Sequence, residues 1–212
     1  MEQKNKIAVL GGGGRTGKYV LTQLLSQGYN LKVLLRNPEN FQLKNPSVEI
    51  VKGDAIDPEA IRLLVQGCQA VISTVGQRKD EPLVASQATT NILKAMAVQG
   101  ITRYILVAGL NVDTPFDKKS SETIAATEWM KTTFPTIHAD RQKTYSILST
   151  SDVNWTLVRV PFIEFTDTKG ETIVSLEDCC GNKISAADIA TFVVAQLADN
   201  SYIKKSPFIA NI

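Results

Sequence analysis

Histidine, cysteine and net charge are all scarce in this chain. Its 212 residues include one histidine, His138, and three cysteines, Cys68, Cys179 and Cys180. Three thiols make no disulfide framework, so a reducing, cytoplasmic setting is expected. One histidine and an adjacent Cys179-Cys180 pair are poor material for zinc, and no metal is expected. Lys+Arg number 23 against 21 Asp+Glu, a formal net charge of +2. That is too little for an electrostatic footprint on nucleic acid, and no Lys/Arg-rich run adds to it. No apolar run is long enough to cross a bilayer. Neither nucleic acid nor membrane is therefore an expected partner. Residues 1–6 lead straight into a strand-like run, so no signal-peptide core is expected. Repeats, low-complexity segments and linkers are missing as well. The length suits one domain over residues 1–212. With 43% hydrophobic and 21% charged residues, the composition is that of a globular chain rather than a disordered one.

What is present is an alternation of two periods. Ile7-Ala8-Val9-Leu10 is a continuous apolar run that stops at glycines, as a strand buried on both faces reads. Val20, Leu21, Leu24 and Leu25 then share one helical face, and Gly28 closes the helix. Further strands are expected at residues 31–35, 48–51, 70–73 and 104–107. Between them, Asp57-Pro58 starts one helix as N-cap and first residue. Pro82 opens a longer helix that ends at Gly100. This uninterrupted βαβαβ series predicts a doubly wound parallel sheet of the Rossmann type. The second half reads as a small substrate-side region. It holds a helix over 120–150 broken near Phe134-Pro135 and a strand at 155–160. A small hairpin over 166–178 turning at Lys169-Gly170 follows. A helix capped by Ser185 and an edge strand over 207–212 complete it.

Gly11-Gly12-Gly13-Gly14-Arg15-Thr16-Gly17 joins the first strand to the first helix. It satisfies G-x-G-x-x-G from Gly12 and G-x-x-G-x-x-G from Gly11. Glycines allow a positive φ in the turn, close approach of backbone to a pyrophosphate, and close packing of helix on strand. The helix N-terminus then offers free N–H groups to the anion. In this context the motif predicts a dinucleotide site. No Gly-Lys-Ser/Thr follows, so a P-loop is excluded.

Residues at the strand ends refine the cofactor. The second strand ends in Leu34-Leu35-Arg36-Asn37, where an acid would bind the ribose hydroxyls of NAD. Arg36 instead offers a cationic fork to a 2′-phosphate, and Arg15 adds a second charge. NADP is therefore expected over NAD. Asp54, with Ala55 beside it, follows the third strand. Its carboxylate can accept from an adenine amino group or serve the turn. Thr74-Val75-Gly76 leaves room for ribose and pyrophosphate. Arg78 just beyond either reaches the phosphates or is exposed. Ala108, at the exit of the fifth strand, completes the expected cofactor set.

The catalytic half is thin. None of the five tyrosines has a lysine four residues later, so the Tyr-Lys acid/base pair of many dehydrogenases is absent. Ala108-Gly109 stands where a hydroxyl is expected. No nucleophile-elbow motif accompanies His138.

Ala8-Val9-Leu10 with the glycine loop, Val33-Leu34-Leu35-Arg36, and Gly53-Asp54 together resemble the atypical short-chain dehydrogenase/reductases. The nearest resemblance is to the NAD(P)H-binding family of biliverdin-IXβ/flavin reductases and NmrA-like proteins. Trp155-Thr156-Leu157-Val158-Arg159 and Ile184-Ser185-Ala186-Ala187-Asp188 extend it over nearly the whole chain. The resemblance implies pyrophosphate binding at Gly11, Gly14, Arg15, Thr16 and Gly17. It implies 2′-phosphate binding at Arg36, with Asp54, Val75, Gly76 and Arg78 completing the site. The flavin reductases carry Thr-Ser where this chain has Ala108-Gly109, and a His where it has Phe162.

Two functions follow as expectations. One is an NADPH-dependent reductase passing hydride to a flat conjugated acceptor, a flavin or quinone, with Gln77, Asn111 and Phe162 on the acceptor side and no protein acid required. The other is a non-catalytic NADP(H)-binding redox sensor of NmrA-like type, which the missing Tyr, Lys and Ser favour. Either is expected as a monomer or weak dimer.

Overall fold

Short apolar runs closed by glycine or polar turns have no solvent face to offer, and here they form the parallel centre of one sheet. A computed structural model describes residues 5–77 and 83–212. Its first six strands are β1 (Lys6–Leu10), β2 (Asn30–Leu35), β3 (Val48–Lys52), β4 (Ala70–Ser73), β5 (Arg103–Gly109) and β6 (Asn154–Val160). They lie in the order β3-β2-β1-β4-β5-β6, all parallel. Val9 pairs with Val33 on one side and Ile72 on the other. The chain winds outward from β1 to β3 and then resumes at β4 on the opposite side of β1. This reversal is the topological switch point where open α/β sheets bind ligands.

Strand alternation divides the core. Ile7 and Val9 face α1 (Arg15–Ser26) and α6 (Ala186–Ala195), packing with Val20, Leu21, Leu24 and Ile189. Ala8 and Leu10 face α2 (Pro58–Val65), α3 (Val84–Gln99) and α5 (Pro135–Ser149), packing with Ile61, Leu64, Ile92 and Leu148. Helix boundaries follow local chemistry. The Asp57 carboxylate accepts from Glu59 N at 2.9 Å and Pro58 opens α2. Gly100, at φ +67°, ends α3. The 120–150 helix breaks as expected, into α4 (Ser121–Thr133) and α5, because Pro135 cannot donate within a continuing helix. Ser185 Oγ accepts from Asp188 N at 3.0 Å and opens α6. Pro82, expected to open α3, lies outside the described residues.

Two expectations are corrected. Residues 207–212 form no edge strand. β10 (Phe208–Asn211) sits inside the sheet, parallel to β6 and antiparallel to β9 (Lys183–Ser185). Phe208, Ile209 and Ala210 are buried on successive faces, which only an interior strand permits. Residues 166–178 form no hairpin about Lys169-Gly170 either. They hold one strand, β8 (Thr172–Ser175), which finds its antiparallel partner in β10. A short β7 (Phe162–Glu164) pairs with β9 and ends the sheet. Among the described residues no helix is long and apolar enough to cross a membrane.

Candidate functional site

At the switch point the glycine turn is built without room for side chains. Gly11 has φ +77°, in the left-handed region. A Cβ there would stand 2.7 Å from the Thr74 carbonyl carbon. A Cβ on Gly17 would collide with the Gly11 carbonyl oxygen, so this glycine sets how closely α1 approaches β1. Gly14 N donates to Gly11 O at 2.9 Å and tightens the turn. Gly14 is the N-cap of α1, with no side-chain cap and no acid in the first turn. The N–H groups and positive dipole end of α1 therefore meet the cleft uncompensated by these elements, a cradle suited to a pyrophosphate.

The cleft above this turn measures about 530 Å³. Gly11, Gly14, Arg15 and Thr16 line its base. Arg36 lines one wall with Ala55, and Thr74, Val75, Gly76 and Gln77 line the other. The half-exposed Arg36 guanidinium lies 3.9 Å from Asp54 Oδ2. Asp54 Oδ1 accepts from Ile56 N at 3.0 Å. Asp54 thus serves the turn and faces Arg36 at once. Thr74 Oγ1 donates to Leu10 O at 3.3 Å, tying β4 to β1 at the cleft floor.

Nine residues expected to bind the cofactor therefore line one cleft, while others depart from expectation. Gly17 is buried beneath it. Ala108, expected among the cofactor contacts, points its methyl into the core beside Leu106 and Leu157. Gln77, expected on the acceptor side, lines the cofactor cleft instead. Arg78 lies outside the described residues.

Three contributors carried no local signal. Ile163 and Phe165, from β7 and the residues after it, reach back over the glycine turn. The Arg15 guanidinium sits 4.1 Å from the Phe165 ring centre, a cation–π contact at the cleft. Arg141 on α5 donates to Val75 O at 2.8 Å. Only the packing of distant segments brings these groups here.

Across β7 lies a second cavity of about 890 Å³. Phe162 lines it while the next residue, Ile163, lines the first. Asn111, Trp129, Met130 and Cys179 complete the part relevant here. Asn111 is 3% exposed, and its Nδ2 lies 3.2 Å from His138 Nδ1. The lone histidine is thus a half-buried brace for a buried amide. Burial pushes the Cys179 thiol above its ordinary pKa, so it stays protonated at neutral pH.

The comparisons agree with this geometry. Residues 11–200 match the NAD(P)H-binding family. An uncharacterized chloroplastic protein of Arabidopsis thaliana, At2g34460, is 23% identical over 210 residues, covering 94% of this chain and 72% of that protein. Isoflavone reductase homolog A622-like of Nicotiana tabacum is 32% identical over 124 residues. That alignment covers 53% of this chain and 38% of the tobacco protein, so the chain matches little more than a third of it. A short-chain dehydrogenase/reductase of Veillonella parvula, solved in complex with NADP, superposes with a TM-score of 0.81 at 15% identity. The superposition covers 98% of this chain and 94% of that one. With the family matched over most of its length and the glycine cradle in place at the switch point, this chain belongs to the NAD(P)H-binding family of Rossmann-fold proteins.

Proposed function

We propose that the chain is an NADPH-dependent reductase that passes a hydride to a flat conjugated acceptor such as a flavin or quinone, in a reducing compartment. The observation that carries this reading is the pair of cavities on either side of β7, one glycine-lined and one largely apolar. Bound NADPH would supply the hydride. The chain's own residues bind and orient. Gly11, Gly14 and Thr16 would hold the pyrophosphate at the start of α1. Arg36, steadied by Asp54, and Arg15, backed by Phe165, would hold the 2′-phosphate. Phe162 and Trp129 give the acceptor ring an apolar bed, and Asn111, braced by His138, gives it a polar contact. A delocalised product charge needs positioning more than a strong acid, so the missing Tyr-Lys pair is no obstacle.

Titration with NADPH and NADH, followed by addition of FMN or a quinone while nicotinamide absorbance is recorded, tests this. Tighter NADPH binding followed by oxidation is expected. A second reading, the NADP(H) sensor, draws on the core position of Ala108, which leaves no hydroxyl at the exit of β5. Tight NADPH binding without oxidation of any acceptor would select it.

A further inference from the structure

We propose that this chain has a second ligand site, distinct from the cleft and the cavity beside it, for a small carboxylate carried on an aromatic or branched apolar body. The site lies where β6 meets α5 and the segment before β10. It is a cavity of about 650 Å³ sharing no lining residue with the other two.

Three of its lining residues carry buried donors without acceptors. Trp155, Arg159 and Ser206 all line it. They are 4%, 0% and 7% exposed. Each keeps a buried polar atom with no partner among the described residues: Trp155 Nε1, Arg159 Nη2 and Ser206 Oγ. These are three of six such atoms in the described residues, and all three can donate. Burying a donor unpaired costs about 1–3 kcal/mol, so three around one cavity mark a place where an acceptor belongs.

The guanidinium is fixed in place. Arg159 Nε donates to Ser206 O at 2.9 Å. Its Nη1 donates to Val112 O at 2.9 Å and to Asp117 Oδ2 at 2.8 Å. Its plane stacks on Phe208, 3.5 Å from the ring centre. Nη2 is the nitrogen left over.

The rim adds charge and strain. Lys204 and Lys205 both line the cavity. The anions there already have cations: Asp117 pairs with Arg159, and Glu177 with Lys118 at 2.7 Å. The two lysines therefore leave the rim positive. Lys204, at φ +55°, is the one non-glycine residue in the left-handed region among those described. Its N–H donates to Trp155 O at 2.7 Å, which holds the strained turn against β6. Strain of this kind concentrates at functional sites. Apolar side chains make up much of the remaining lining: Pro115, Phe116, Leu176, Ile203 and the Tyr145 ring. Buried donors, a cationic mouth and apolar walls together fit a monocarboxylate with a hydrophobic body.

The probe is 3-phenylpropionate, titrated calorimetrically into the full chain with and without saturating NADPH. Saturable one-to-one binding is expected in both. Its amide, 3-phenylpropanamide, should bind at least about tenfold more weakly, because the charge-assisted bonds are lost. The double variant Lys204→Gln, Lys205→Gln should weaken the acid about fivefold or more. Trp155→Phe keeps the ring and removes one donor, and should weaken it about threefold or more. Thermal melts establish that each variant is folded. No saturable binding, equal binding of acid and amide, or binding unaffected by all these changes would overturn the site. Binding lost in Phe162→Ala but kept in Trp155→Phe would place the probe in the acceptor cavity and overturn it as well.

Discussion

Asp140, on α5, caps a helix to which it does not belong. Its carboxylate accepts from Ala85 N at 2.9 Å and from Ser86 N at 3.1 Å, in the first turn of α3. Leu83, the N-cap of α3, supplies no side-chain bond of its own. Asp140 is 1% exposed, so these bonds form out of water. The next residue, Arg141, holds the Val75 carbonyl at the exit of β4. Helix α5 therefore holds the start of α3 and, at the cofactor cleft, the exit of β4 by adjacent residues. Asp140→Ala leaves two N–H groups unpaired and should lower stability by about 2–4 kcal/mol. Urea denaturation checks it. Asp140→Asn, which keeps one acceptor, should fall between.

Arg36 tests the cofactor assignment. If it holds the 2′-phosphate, Arg36→Ala removes a charged contact of about 1.5–3 kcal/mol. The ratio of NADPH to NADH affinity should drop about 10- to 100-fold in calorimetry. An unchanged ratio would take Arg36 out of this role.

Two glycines should behave oppositely. Gly17→Ala drives a methyl into the Gly11 carbonyl and should cost about 1–3 kcal/mol of stability. Gly76→Ala meets nothing within 4 Å among the described residues, so its melting temperature should hold. Gly76 lines the cleft, so NADPH affinity should fall without loss of fold. Differential scanning fluorimetry with and without NADPH separates the two.

The thiols should react in a fixed order. Cys180 is exposed, while Cys68 and Cys179 are buried. Burial pushes the Cys68 thiol up to about 11, leaving about 10⁻³ of it as thiolate at pH 8. Ellman's reagent at pH 8 should titrate one thiol quickly and the other two only after denaturation. Cys180→Ser should abolish the fast phase.

Tyr104 sets an alkaline limit. Burial pushes its phenol up to about 12 from an ordinary value near 10. The folded state binds this proton more tightly than the unfolded one. The resulting stability is fully present below about pH 10 and is lost as pH rises through about 12. Tyr104→Phe has no such proton to lose. Denaturation midpoints of the two proteins should therefore converge or cross between pH 10 and 12.

The parallel half of the sheet was legible because its signals are local. Apolar runs, the Asp57-Pro58 start, Gly100, the Pro135 break and the Ser185 cap each act within a few residues. The glycine turn was legible for the same reason, since its steric demand is set by neighbours in sequence. The small strands were not. Residues 172–175 read as half of a hairpin, but strand pairing rewards any complementary edge regardless of distance, and β10 offered the better one.

By itself, then, the sequence determined a Rossmann sheet, the cradle at Gly11 to Gly17, and the absence of a Tyr-Lys pair. Tertiary structure alone decided which groups surround that cradle. Phe165 reaches Arg15 from 150 positions away, Arg141 reaches Val75 from α5, and His138 braces Asn111. Such contacts rest on burial and on the pairing of polar groups out of water. Those forces act between whatever surfaces the folded chain brings together, so no spacing along the chain encodes them.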